Sequence, residues 1–216
     1  MLQLVYCPMQ DVASTSVVPQ QKSELAQRVL KGAWVGVLLG LLLEALLLVV
    51  ALWQDRLPDR VHIVAETVQK LSWSALVCAA LVAGQAAVRA GTSIAGLIGL
   101  FAAPVAFLTA RALHKATLEV LGASTVTATQ WFAASIKGVE YALLSLAITW
   151  LVKRDAAWKL YVIAGALVGM ATYLLTSLAL SLPGDPLQRA LVEVSHPIGC
   201  ALAVRFSSQV NARLRD

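Results

Sequence analysis

The run WVGVLLGLLLEALLLVVALW, from Trp34 to Trp53, is apolar except for one acid, Glu44. About 20 such residues, rising 1.5 Å each as a helix, match the ~30 Å of hydrocarbon in a bilayer. Backbone amides in hydrocarbon must be satisfied within the segment itself, which makes the run a helix. The rest of the chain agrees. Of its 216 residues, 59% are hydrophobic and 13% charged, with a mean hydropathy of +0.75. A soluble domain of that length would need far more polar surface, so the expected class is an all-α integral membrane protein. Nothing resembling a soluble domain remains once the apolar runs are set aside. The net charge of +5 then belongs beside a cytoplasmic leaflet, and nucleic-acid binding is excluded as its explanation.

The first 32 residues are expected to form a cytoplasmic tail and a basic juxtamembrane helix around Lys22, Arg28 and Lys31. The tail lacks the basic start and cleavage site of a secretory signal. Residues 33–206 form the transmembrane bundle, and 207–216 a short basic tail. After Trp34–Trp53, Leu57-Pro58-Asp59 marks a helix start with proline near its first turn. That helix runs through Val61, Val64, Val68 and Leu71 into a second span from Trp73 to Ala90. A third span, Ser93 to Leu113, is interrupted by Pro104. A fourth lies between Trp131 and Trp150, and a fifth from Trp158 to Leu182. The sixth, Leu187 to Phe206, is the least apolar, because Arg189, Glu193, His196 and Pro197 fall inside it.

Six spans place Lys22, Arg28, Lys31, Arg89, Lys153, Arg154, Lys159, Arg205, Arg213 and Arg215 on the N-terminal side. The basic residues of the other side, Lys70 among them, are balanced by acids such as Glu66 and Glu193. Both termini are therefore expected in the cytoplasm, in a plasma membrane and in the first instance a bacterial inner membrane. If residues 187–206 lie on the surface instead, the C-terminus moves outside.

The fourth segment, QWFAASIKGVEYALLSLAITW, poses the main chemical question. Lys137 lies about 9 Å and Glu140 about 13 Å below Trp131. Lysine can snorkel to the interface, but the shorter glutamate cannot. Glu44 sits equally centrally in the first span. An ionised acid there costs at least ~2.5 kcal/mol, so each should face other helices, uncharged or paired with Lys137. Glu44, Lys137 and Glu140 are accordingly the candidate residues, either for coupling to a proton or cation or as a clasp holding two helices in register.

Each half of the chain reads as a Trp-flanked span with a central glutamate, a span opened by tryptophan (Trp73, Trp158), and a span broken by proline. The breaks are Pro104 in APVAFLTAR and Pro197 in HPIGCALAVR. Such a 3+3 inverted repeat is a construction of transporters. In the second span Ser74, Cys78, Gln85 and Arg89 share a face among alanines, which points to helix packing with Gln85 and Arg89 as its polar members. GALVG, Gly165 to Gly169, is a GxxxG association motif with no partner specified.

His62 with Glu66 and His196 with Glu193 are acid–imidazole pairs one helical turn apart. Such pairs can ligate metal, and Glu193 with His196, the one ExxH, is the weak candidate, but a single ExxH falls short of a di-iron set. Cys7, Cys78 and Cys200 show no CxxC spacing and count as small apolar residues. No cofactor is indicated and no catalytic motif is present. Two functions remain. One is a membrane-embedded, non-catalytic subunit of a larger transport, secretion or energy-linked complex. The other is a stand-alone carrier or channel for an ion or small solute. The expected partners are the lipid bilayer and other membrane subunits, or further copies of this chain.

Overall fold

The computed structural model describes residues 17–87, 92–122, 130–179 and 185–213, which form six helices and no strand. They are α1 (Val17–Trp53), α2 (Arg60–Ala87), α3 (Thr92–Val120), α4 (Gln130–Lys153), α5 (Trp158–Ala179) and α6 (Pro186–Arg213). All but α6 contain a stretch long and apolar enough to cross a membrane. The basic juxtamembrane segment and the first apolar run are one helix, since nothing between Val17 and Trp53 stops it.

The turns follow local chemistry. After α1, Asp55 takes a left-handed conformation (φ 53°), and the amides of Asp55 and Arg56 bond back to Leu52 and Ala51. This pattern satisfies two of the helix's last carbonyls. After α4, Asp155 (φ 45°) and Ala156 repeat it on Val152 and Leu151. At the start of α2, Asp59 is the cap: its Oδ1 accepts from the His62 amide at 2.9 Å. Hydrogen bonds from His62 hold that exposed carboxyl below the usual carboxylate range. Pro58 therefore lies just outside the helix rather than in its first turn.

Consecutive helices pack antiparallel as the hairpins α1–α2, α3–α4 and α5–α6, while α2 also lies along α3 and α4 against α5. α6 touches α1, which closes a ring, and α2, α4 and α6 meet one another inside it. Close approach within the hairpins is made by glycines of the outer helices. A Cβ on Gly36 would collide with the Ser74 carbonyl, one on Gly99 with that of Tyr141, and one on Gly169 with that of Glu193. The GxxxG of α5 thus has its partner within the chain, namely α6. Gly96 and Gly99 serve α4 in the same way.

Neither proline breaks its helix: α3 continues through Pro104 and α6 through Pro197. A proline frees the carbonyl four residues earlier, here that of Leu100 and that of Glu193. Both freed carbonyls face a glycine of the neighbouring helix, Leu100 facing Gly138 and Glu193 facing Gly169. The missing side chain lets a Cα–H approach the oxygen that has lost its amide, a weak but favourable contact. The Pro104 ring also lodges in the notch left by Gly138.

The low apolarity of α6 has a packing explanation. It contacts α1, α2, α4 and α5, and buries His196, Pro197, Cys200, Ala201, Ala203 and Val204. A helix surrounded by protein need not be apolar on every face. The outer helices show the reverse pattern, exposing Leu38, Leu42, Phe101, Val105, Leu167 and Leu178.

Candidate functional site

The three inner helices carry polar stripes at one-turn spacing. These are Lys70, Ser74 and Cys78 on α2; Lys137, Tyr141 and Ser145 on α4; and Glu193, His196 and Cys200 on α6. Residues three or four apart lie on one face of a helix, so each stripe is a single line. The stripes meet at His196, which is buried. Its Nε2 lies 2.8 Å from Ser74 Oγ, and its Nδ1 is bonded to the Tyr141 hydroxyl. A neutral ring that accepts from Tyr141 at Nδ1 and donates from Nε2 to Ser74 uses both nitrogens, and links α4, α6 and α2 through one side chain. Trp73 packs against this group, with ring centroids 5.5 Å from Tyr141, 5.6 Å from His196 and 5.8 Å from Phe107. Trp73 is therefore a core residue rather than an interfacial anchor at the mouth of a span.

One turn towards the C-termini of α2 and α6, Cys78 and Cys200 place their sulfurs 3.5 Å apart as free thiols. Cys200 Sγ is also 3.7 Å from His196 Nδ1. One turn the other way lie the charges. Lys137 Nζ is 2.7 Å from Glu140 Oε2 and also pairs with Glu193 of α6. Lys70 Nζ is 2.8 Å from Glu44 Oε2 of α1 and 2.6 Å from Glu66. Both lysines precede a member of the Ser74–His196–Tyr141 chain by four residues. The two charged clusters thus lie to the same side of it, about 6 Å along the helices.

Several pairings differ from those the sequence led us to expect. Glu44 does not join Lys137; its base is Lys70, which sits inside the bundle instead of on a flank. Glu193 turns to Lys137, leaving His196 to Tyr141 and Ser74, so Glu193 and His196 do not form a pair of their own. His62 pairs with Asp59 at 2.9 Å, while Glu66 serves Lys70. No group of three or more His, Cys, Asp or Glu among the described residues is arranged to hold a metal. Gln85 donates to Thr149 Oγ1 of α4 at 2.7 Å, a polar bond that joins α2 directly to α4. Arg89 lies outside the described residues.

Ser74, Tyr141, Trp73, Lys70 and Thr149 are the members that sequence reasoning missed or left unpartnered. The available signal was the repeated charge, polar, Cys-or-Ser stripe on three different helices. The chain matches no protein-family model, no curated protein and no solved structure.

Proposed function

We propose that this chain is an integral membrane protein of the bacterial inner-membrane type, with both termini cytoplasmic. In this reading it is a non-catalytic subunit of a larger transport, secretion or energy-linked complex. The observation that carries it is the internal pairing of the charges within the apolar helices. Lys137 serves Glu140 and Glu193, and Lys70 serves Glu44 and Glu66, so these groups bind helix to helix. The outer helices offer apolar faces, Leu38 and Leu42 on α1 and Leu167 and Leu178 on α5, suited to lipid or to other membrane helices. A bundle clasped inside and apolar outside fits a scaffold or coupling subunit.

A second reading, the stand-alone carrier, is favoured by the gathering of Lys137, Glu140, Glu193 and His196 deep in the bundle and by the matching aspartate turns after α1 and α4. Those turns suit a 3+3 inverted repeat. The packing by hairpins, with α2 among the three helices that meet centrally and its counterpart α5 not, does not help it. The deciding experiment is mass spectrometry of the intact particle after gentle detergent extraction from source membranes. Stoichiometric foreign subunits are the expected result. A lone chain or homo-oligomer would overturn the subunit and favour the carrier.

A further inference from the structure

Glu140 and Glu193 share one ammonium. Lys137 bonds to an oxygen of each, and with all three groups ionised the cluster carries one uncompensated negative charge. The Glu140 side chain is fully shielded, 0% exposed, and its second oxygen, Oε1, has no hydrogen-bond partner. Such an oxygen on an ionised carboxylate is the costliest arrangement available, since a buried charge is tolerable only when all its lone pairs are answered. The other ionisable groups facing Glu140 do not answer it. On its own helix there is Tyr141, whose hydroxyl is engaged with His196. On α6 there are Glu193, His196 and Cys200, and from α2 comes Cys78 against Cys200. Arg189, one turn before Glu193, is itself engaged.

We propose that the Glu140–Lys137–Glu193 cluster is a binding site for one proton, held on the Glu140 carboxyl at Oε1. Two acids and one base then form a neutral group, with Glu193 as the carboxylate that answers Lys137 and Glu140 as the acid. The site lies between α4 and α6. It goes beyond the subunit reading, because it holds for a lone chain equally.

The test is infrared spectroscopy of the purified full-length chain in lipid at neutral pH, comparing light and heavy water. The expected result is the carbonyl stretch of a protonated carboxyl, shifted by deuteration, at about one per chain. It should vanish in Glu140→Gln and also in Glu193→Gln, but persist in Glu44→Gln. The Glu193 variant is the informative one, because it leaves Glu140 in place and gives it the lysine alone, so Glu140 ionises. A merely structural glutamate would not lose its proton on a change in another helix. The proposal is overturned by a spectrum without the band, by a band that survives both the Glu140 and Glu193 variants, or by one abolished when sodium replaces potassium in the buffer.

Discussion

Lys137 is the residue on which Glu140 and Glu193 both depend. Replacing it with methionine keeps the volume and leaves Glu140 and Glu193 facing each other with no base between them. Breaking a buried pair in this way costs about 3–5 kcal/mol. We expect Lys137→Met to show a loss of that order in denaturant unfolding of the detergent-solubilised chain, and Glu193→Gln, which leaves one acid for one base, to lose markedly less. Equal losses would mean that the cluster contributes by packing alone. At this scale the sequence revealed half of the site. Glu44, Lys137 and Glu140 stand out because a charge inside an apolar run is costly wherever it points. Of their partners, Lys70 did not stand out, because it lies where apolarity falls off and reads as a flanking residue, and Glu193 stood out only beside His196, as an acid–imidazole pair. Pairing is a property of two helices, and no single stretch of chain records it.

Among the elements, five helices were legible as apolar runs of membrane-crossing length, with Pro58-Asp59 marking the start of α2 and tryptophans bracketing the runs in α1 and α4. The left-handed turns at Asp55 and Asp155 were not read. The sixth was obscured by its position. α6 is shielded by four other helices, so it carries Arg189, Glu193 and His196 within its length and lacks the apolarity that lipid demands. The prolines misled for a related reason: helix breaks were expected, but glycines on the facing helices accommodate the freed carbonyls. That account predicts the effect of Gly169→Ala. The added Cβ meets the Glu193 carbonyl and must push α5 from α6, at the ~1–3 kcal/mol typical of overpacking. Ala171→Val, on an exposed position of the same helix, should be close to neutral. Unfolding measurements on both variants check the difference, and a neutral Gly169→Ala would remove the close approach from the account.

For the whole molecule, the central claim is that α2, α4 and α6 converge and put one line of polar side chains from each in contact. Membrane character was legible from composition, and five of the helices are long and apolar enough to cross a membrane. The convergence was not, since the sequence ordered the spans along the chain but left open which three would be inside. Cys78 and Cys200 provide the most direct test, lying 3.5 Å apart on α2 and α6 and 122 residues apart in sequence. In native membranes, with Cys7 replaced by serine, a membrane-permeant oxidant should join them within one chain. The faster-migrating cross-linked form should be absent from Cys200→Ser. Two thiols that stay separate under the oxidant, while both react with a small membrane-permeant maleimide, would contradict the inner packing of α2 against α6 and the polar core built on it.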